Sequence, residues 1–248
     1  KDVSNNSSSY AMVSYFGKVN YAYDEKYLVS GTLRRDASSR FGNGNNSAIF
    51  PSVSAGWRIS RENFMETTSN WLSDLKLRAS WGINGNDMID NSATYSLYYV
   101  DMNTGSYNFS GDGKTLSPGV IKTMSGNNNL KWEQTEQFNI GIDAAFLDNR
   151  LGVTMDYFKK KTKDMLIQKP YIAAIGEGGY KWYNAASMDN NGVEATITWH
   201  DKINDFNYEV AFNVSYYHNE ITDLPEEVKY TWGGGDGISK TIIGQSYG

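Results

Sequence analysis

The sequence has no cysteine and only four prolines among its 248 residues. Without cysteine, the chain cannot form disulfides or thiolate metal sites. It also has no run of about 18 apolar residues, so no transmembrane helix is expected. The formal net charge is −5, and no basic patch indicates a nucleic-acid partner. These absences exclude a disulfide scaffold, and we expect neither a transmembrane helix nor a nucleic-acid partner.

Aromatic residues and glycine are abundant instead. The chain contains 18 tyrosines, 7 tryptophans and 24 glycines, a mixture that is typical of many short strands joined by polar turns. The mean hydropathy of −0.56 is in the range of soluble proteins. It is equally compatible with an outer-membrane barrel, because such barrels place apolar residues only at alternate strand positions and carry long polar loops.

Eight segments show a persistent two-residue alternation of apolar and polar side chains. In residues 75–81, for example, Leu, Leu, Ala and Trp alternate with Lys, Arg and Ser. The pattern predicts about eight antiparallel strands, but it leaves two structures open. A soluble sandwich buries the apolar face in a core, whereas a membrane barrel turns it to lipid. The segments are residues 13–23, 27–36, 49–60, 75–84, 138–146, 151–157, 193–200 and 208–216.

The lengths of the connections favour the membrane barrel. Short connections (24–26, 148–150, 201–205) alternate with long ones (38–47, 85–129, 169–190), and residues 61–74 are intermediate, with a short helix predicted at 63–71. Short and long connections therefore fall at opposite ends of the predicted strands. Outer-membrane barrels have this arrangement, with short periplasmic turns and long extracellular loops. A loop as long as residues 85–129 also argues against a compact soluble domain.

The placement of aromatic residues agrees with this interpretation. Several tyrosines and tryptophans lie near strand ends on the apolar face, where amphipathic rings favour the headgroup level of a membrane. The alternative is that these residues are simply good strand formers. The predicted girdle residues are Tyr21, Tyr23, Tyr27, Trp57, Trp81, Tyr157, Trp199, Tyr208 and Tyr216.

An ordered set of motifs adds a family resemblance that covers nearly the whole chain, from about Tyr15 to Gly248. In chain order the motifs read LRRDASSRFG at 33–42, FPSVSAGWR at 50–58, LKLRASWG at 75–82 and NGN at 84–86. They continue with NLKWEQT at 129–135, NIGID at 139–143, RL at 150–151, DYF at 156–158, KTKDML at 161–166 and NGVE at 191–194. Together they resemble the C-terminal part of the barrel in SusC/RagA-type TonB-dependent transporters of Bacteroidetes.

The resemblance implies a large transport machine in the outer membrane. Members of that family have a 22-stranded barrel with an N-terminal plug inside it. They import large nutrients, commonly oligosaccharides or other glycans and in some cases peptides. A SusD-like surface lipoprotein caps the barrel, and TonB supplies the energy. Against that pattern, residues 1–248 are expected to be a partial barrel domain in the lipid bilayer, without the plug, the TonB box or the final strand.

No catalytic arrangement is recognisable in the sequence. Only two histidines are present, His200 and His218, and nothing places partners for a triad or a metal site near them. The glycine-rich segment 233–237 lacks the Lys-Ser/Thr ending of a phosphate loop. We therefore expect no enzyme, no catalytic residue, no metal site and no cofactor.

Charged residues recur on the predicted polar faces. A glycosidase needs two carboxylates, but pairing between lumen-facing acids and bases is the simpler interpretation. The acids are Asp143, Asp156, Glu194 and Glu209, and the bases are Arg34, Arg58, Lys76 and Arg78.

Aromatic residues of the long loops are the candidates for ligand binding. Exposed rings can stack on sugars or cover peptide side chains, although they can equally pack loops together. Tyr180, Trp182 and Tyr183 are the predicted ligand contacts. Other loop aromatics are Tyr98, Tyr99, Tyr107, Phe109 and Trp232.

Two alternatives to a transporter segment stay open at this point. The first is a soluble all-β carbohydrate-binding or adhesion module, in which the alternating apolar residues face a closed protein core. The second is a carbohydrate-active enzyme with a carboxylate pair in a cleft. The location of the apolar face and of the connections distinguishes these alternatives from a barrel wall.

Overall fold

A computed structural model describes residues 9–42, 44–101, 107–109, 111, 113–114, 117, 119–170, 179–225 and 242–246. These residues contain ten strands and two short 3-10 helices, Ile59–Arg61 and Asn63–Thr68. None of the helices in the described part is long and apolar enough to cross a membrane. The strands are β1 (Met12–Tyr23), β2 (Tyr27–Ser38), β3 (Ser47–Arg58), β4 (Leu72–Asn86), β5 (Leu97–Asp101), β6 (Gly119–Met124), β7 (Glu133–Phe146), β8 (Leu151–Pro170), β9 (Tyr180–Ile203) and β10 (Phe206–Asp223).

Eight long strands form one continuous antiparallel sheet in the order β1-β2-β3-β4-β7-β8-β9-β10. The short strands β5 and β6 pair with each other, and a single parallel bridge between Met124 and Tyr180 connects β6 to β9. Each of the eight alternating segments coincides with one long strand, except that the last two residues of segment 49–60 enter the 3-10 helix Ile59–Arg61. The two-residue period matches the pleat of a sheet with chemically different faces. The eight long strands will be called the wall.

Three sequence predictions were wrong in detail. The predicted loop 85–129 contains β5 and β6, so the described chain has ten strands rather than eight. The predicted loop 169–190 is mostly strand, because residues 165–170 of β8 pair with residues 180–186 of β9 beyond a pair of irregularities in register. This extension has no regular apolar–polar alternation, since it lies past the apolar part of the sheet. The predicted helix at 63–71 is the shorter 3-10 helix Asn63–Thr68.

The tight turns have the geometry expected of hairpins. Asp24 and Glu25 both have φ of 50°, and the backbone N–H of Lys26 donates to the carbonyl of Tyr23 at 2.9 Å. Asp148 and Asn149 have φ of 55° and 64°, with an equivalent bond from Arg150 to Leu147. Positive φ at both central residues defines the type I′ turn, whose twist matches that of the strands.

Short and long connections lie at opposite ends of the wall, apart from connection 59–71, which is longer than 39–46. Because neighbouring strands are antiparallel, connections 24–26, 59–71, 147–150 and 204–205 share one end, and 39–46, 87–132 and 171–179 share the other. The predicted alternation is confirmed. The first end is the periplasmic one and the second is the extracellular one.

Candidate functional site: the polar face of the wall and the extracellular loop cluster

The register of the strands gathers the alternating apolar residues on one face of the wall. Most of these side chains are exposed, for example 40% for Ile140, 47% for Val29 and 70% for Tyr216. A soluble module would bury this face in a core, and no described element covers it. One row across the sheet consists of Tyr21, Val29, Ala55, Ala79, Ile140, Tyr157, Val193 and Tyr216.

The length of the apolar band fits a membrane. On β7 it extends over residues 138–146, from Phe138 to Phe146. A tilted transmembrane strand needs about 9–11 residues, so this segment is long enough to cross the hydrocarbon layer. The face is therefore suited to lipid.

The opposite face of the wall is polar. Its middle carries small hydroxyl and amide side chains, and the hydroxyls of Ser30 and Ser54 are hydrogen-bonded at 2.7 Å. Next to them lies an open groove of 480 Å³. Its polar lining consists of Asn20, Ser30, Ser54, Lys76, Arg78, Ser80 and Asn139. A wall with one apolar face and one polar, grooved face has the division between lipid and lumen that a barrel requires.

Arg78 on β4 is the centre of an ion-pair network on the polar face. Its Nε and Nη2 donate to the two carboxylate oxygens of Asp143 at 2.7 and 2.9 Å, and Nη2 also donates to Asp156 at 3.1 Å. The Thr154 hydroxyl donates to Asp143 at 3.4 Å. The predicted pairing of Arg78 with lumen-facing acids is confirmed. A two-pronged guanidinium–carboxylate contact fixes geometry as well as charge.

The network depends on Gly141, which lies between Arg78 and Asp156 in the register. A Cβ at this glycine would lie 2.2 Å from the Asp156 Oδ1 and 2.9 Å from the Arg78 Nη2. The missing side chain lets the guanidinium reach across β7 to β8. Gly141 lies within the NIGID motif, but the motif alone does not predict this role.

The other predicted charges are arranged differently. Arg58 pairs with Asp74 at 3.4 Å, and Arg34 pairs with Asp36 of its own strand at 2.7 Å. Glu194 lies opposite Asp156 and Ser215, while Glu209 lies opposite His200. Within the described residues, no group of three His, Asp or Glu side chains could hold a metal ion.

The extracellular end contains a buried aromatic and aliphatic cluster. Its members, which we call the loop cluster, are Phe41, Phe50, Ile89, Ala93, Leu130 and Trp132. The Trp132 ring lies 5.4 Å from that of Phe41 and 5.5 Å from that of Phe50. The motifs at 33–42 and 129–135 contain several of these residues, but their sequence did not show that they form a core.

Asp87 joins the loops to the strands beside this cluster. Its Oδ2 accepts from the Ser38 hydroxyl at 2.7 Å and from the Tyr10 hydroxyl at 2.9 Å. Arg40 lies 3.5 Å from its Oδ1 and also stacks over the ring of Tyr10. The role of Asp87 could not be predicted from the sequence, because its partners Tyr10, Ser38 and Arg40 are far away along the chain.

The three predicted ligand contacts occupy different environments. Tyr180 is 39% exposed at the start of β9. Trp182 packs against the loop cluster, and its indole N–H donates to Asp90 at 3.0 Å. Tyr183 lies under the ammonium group of Lys181 at 5.3 Å. Trp182 therefore helps to fix the loops, whereas Tyr180 presents its ring to solvent.

The remaining loop aromatics are largely exposed where the structure describes them. Tyr98 is 62% exposed, Tyr99 59% and Phe109 81%, and the Tyr107 and Phe109 rings are 5.8 Å apart. Trp232 and the glycine-rich segment 233–237 lie outside the described residues. Several aromatic side chains of the described loop residues are thus exposed to solvent.

At the periplasmic end, Glu62 links two aromatic residues of the predicted girdle. It accepts from the Tyr27 hydroxyl at 2.6 Å and from the Trp57 indole N–H at 3.0 Å. The Lys26 ammonium lies 3.8 Å away. The pKa of the Glu62 carboxyl is lowered, chiefly by the hydrogen bond from Tyr27 and secondly by the hydrogen bond from Trp57. The Tyr27 and Trp57 side chains each combine an apolar ring with a polar hydrogen-bonding group, and such amphipathic side chains are favoured at the membrane interface.

Taken together, the lipid-suited face, the polar face and the alternating connections define a wall of an outer-membrane β-barrel. The comparisons with known proteins agree. A family model described as "TonB dependent receptor-like, beta-barrel" matches residues 2–241. The chain belongs to this family, and its location is the outer membrane.

Relatives and solved structures support the SusC/RagA resemblance. The chain is 36% identical to the TonB-dependent receptor SusC of Bacteroides thetaiotaomicron, over 92% of this chain and 23% of the relative. It is 37% identical to the TonB-dependent receptor P3 of Formosa agariphila, over 87% of this chain and 21% of that protein. The structure of the RagAB peptide transporter matches with a TM-score of 0.80 at 33% identity, over 96% of this chain and 25% of that chain.

The chain thus spans about a quarter of the length of the relatives that it matches. The siderophore receptor PirA from Pseudomonas aeruginosa shares the fold, with a TM-score of 0.51 at 15% identity.

Proposed function

We propose that this chain forms one wall of a TonB-dependent importer of large nutrients. The observation that carries the proposal is the two-faced wall, which combines an exposed apolar band with a polar face bearing a groove of 480 Å³. The similarity to SusC and to the RagAB peptide transporter supports an importer of the SusC/RagA type. In this role residues 1–248 belong to the barrel domain, and TonB and a SusD-like lipoprotein are partners of the whole protein.

The proposed cargo is an oligosaccharide or other glycan, with peptides as the second class. One structural neighbour is described as a peptide transporter, which is why both classes belong in a test. Aromatic rings suit either class, because they stack on sugar faces and cover apolar peptide side chains. The proposed contacts are Tyr180 and Tyr183, with Trp182 holding the loops through its bond to Asp90.

We propose no catalytic role for the chain. Asp143 and Asp156 both bind Arg78, so this carboxylate pair is engaged in an ion-pair network instead of lining a cleft with two free carboxyl groups. Candidate glycans should be hydrolysed at the same rate, including a rate of zero, by the intact protein and by its variant with both residues replaced by asparagine. A loss of measured hydrolysis would revive the enzyme alternative.

Binding and uptake by the intact protein test the proposal. Calorimetry against sets of oligosaccharides and peptides should find ligands in one class, and uptake of that ligand should stop when the protonmotive force is dissipated. Tyr180→Ala and Tyr183→Ala should weaken binding by about tenfold per ring that stacks on the ligand. Tyr23→Ala, at the periplasmic end of the wall, is the matched control. Uptake that persists without the protonmotive force would contradict the proposal.

A further inference from the structure

The apolar face of the wall carries a groove where β7, β8, β9 and β10 adjoin. Its volume is 350 Å³, within the range of about 300–1,000 Å³ for small-molecule sites. Ala195 lies opposite Met155 on one side and Val214 on the other. Its short side chain leaves a depression between longer neighbours. The apolar lining includes Ile140, Ile142, Met155, Val193, Ala195 and Val214, with Tyr157 and Tyr216 also present.

A line of lysines continues from this groove toward the extracellular end. Lys159, Lys161 and Lys163 follow Met155 and Tyr157 at every second position of β8, so they lie on the same face of the sheet. Because β8 runs from the periplasmic turn 147–150 toward the long loops, these lysines lie at the headgroup level of the outer leaflet.

The lysines differ in how far their charge is neutralised. Lys163 is 3.9 Å from Glu136. Lys161 lies opposite Glu136 and Asp189, but Lys159 lies opposite Phe138 and Asn191, which are uncharged. In the described part of the chain neither Lys159 nor Lys161 makes an ion pair. The Lys159 ammonium group, which has no acid opposite it, is therefore available to an external anion, and Lys161 lies between two carboxylates without an ion pair to either.

We infer that the groove and these two lysines bind a phosphorylated, multiply acylated glycolipid of the outer leaflet. One acyl chain lies in the groove, where it covers apolar side chains, and the phosphate groups meet Lys159 and Lys161. The tyrosine hydroxyls of Tyr157 and Tyr216 lie at the boundary between acyl chain and headgroup, where amphipathic rings are favoured. A zwitterionic phospholipid could fill the groove but would carry no net charge for the lysines.

The equivalent level on the other strands lacks this combination. On β2 the basic residue is Arg35, whose Nη2 donates to the Ser47 hydroxyl at 3.4 Å. The neighbouring residue on the same face, closer to the membrane centre, is Leu33. The lysine line and the groove coincide only on β8 among the described strands. The inference therefore concerns one location on the wall and not the apolar face in general.

Native mass spectrometry of the intact protein, extracted from its own outer membrane, tests the inference. The probe is purified phosphorylated glycolipid, with its dephosphorylated form and a zwitterionic phospholipid as comparisons. The double variant Lys159→Gln/Lys161→Gln should bind the glycolipid about 10- to 30-fold more weakly, as expected for removing two surface cations from an anionic lipid. Ala195→Leu should reduce binding several-fold by filling the groove.

Matched controls separate this site from general effects. Lys18→Gln removes a lysine from the polar face, and Ala79→Leu enlarges an alanine elsewhere on the apolar face; both should bind as the unmodified protein does. Heat-modifiability on gels reports whether each variant retains a folded barrel. Equal retention of the glycolipid by a folded double-lysine variant would overturn the inference. So would equal binding of the dephosphorylated form or preference for the zwitterionic lipid.

Discussion

The wall and the loop cluster place their apolar side chains in opposite environments. In the wall, Phe138, Ile142 and Val214 are 43%, 46% and 53% exposed. In the loop cluster, Leu130 and Ala93 are fully buried and Trp132 is 3% exposed. Among the described residues, every buried hydrophobic side chain except Leu72 lies at or beyond the extracellular end of the wall.

This difference shows that one chain is adapted to two solvents. The wall has no protein core on its apolar face, so lipid completes it and the hydrogen bonds between strands satisfy the backbone. The loop cluster lies beyond the bilayer in water, where burial of apolar area drives packing as in a soluble domain. Substitutions should therefore have effects that depend on the solvent of each region.

The largest effect is expected for Trp132→Ala in the loop cluster. Removing a buried tryptophan costs about 3–5 kcal/mol, and the bond from its indole N–H to the Asn46 carbonyl at 3.2 Å is lost as well. Hydrogen exchange should accelerate at the amides of Asn127 and Leu130, which are bonded within these loops. Phe138→Ala, which removes a lipid-facing ring, should leave that exchange unchanged. Simultaneous loss of protection throughout the wall would contradict the separation of the two regions.

A neighbouring pair of substitutions on β10 tests the two faces of the wall. Val214→Arg places a charge in the apolar band and should cost up to about 4 kcal/mol, the upper value for a charge at the bilayer midplane. Ser215→Arg places the same side chain on the polar face opposite Glu194, so its cost should be close to zero. Folding free energies of the intact protein in lipid vesicles measure both. Equal costs would show that the faces are wrongly assigned.

Gly85→Ala should destabilise the loop cluster by an intermediate amount. A Cβ at Gly85 would lie 2.0 Å from the Cζ of Phe50, so the ring must move within a packed core, at a cost of about 1–3 kcal/mol. Gly31→Ala is the control, because its Cβ would meet nothing within 4 Å on the lipid-facing side of β2. Thermal unfolding of both variants provides the measurement. A larger effect at Gly31 would refute the packing argument.

The smallest effect is expected at the periplasmic end, from Glu62. Because hydrogen bonds from Tyr27 and Trp57 lower its pKa in the folded protein, its contribution to stability is present above the ordinary carboxyl pKa. That contribution is lost as pH falls through the lowered value. The stability difference between the protein and Glu62→Gln should thus be constant near neutrality and shrink in acid. A difference that grows on acidification would contradict this.

The wall could be predicted from the sequence, and the loop cluster could not. All eight long strands were located, because lipid on one side and a polar interior on the other impose a two-residue period. The cluster joins Phe41, Ile89 and Trp132, which are distant along the chain and lie in segments without regular alternation. The pairing of β5 with β6 could not be predicted either, because it depends on contacts between segments that show no regular alternation.

The charged network was predicted only in part. Its participants Arg78, Asp143 and Asp156 were recognised from their position on the polar face, and they meet as expected. The requirement for Gly141 depends on the distance between side chains on three strands. Likewise, the interior position of Trp182 depends on its packing against the loop cluster, whose residues are distant along the chain.

Accessibility measurements along β8 test whether the apolar face of the wall contacts lipid. This chain has no cysteine, so single cysteines introduced at residues 152–157 of the intact protein, after replacement of any cysteine outside this chain, can carry spin labels in a lipid bilayer. The two-faced wall predicts that labels at 153, 155 and 157 are accessible to oxygen dissolved in lipid, and that labels at 152, 154 and 156 are shielded from lipid. A uniform profile, or the opposite phase, would contradict the assignment of the apolar face to the membrane.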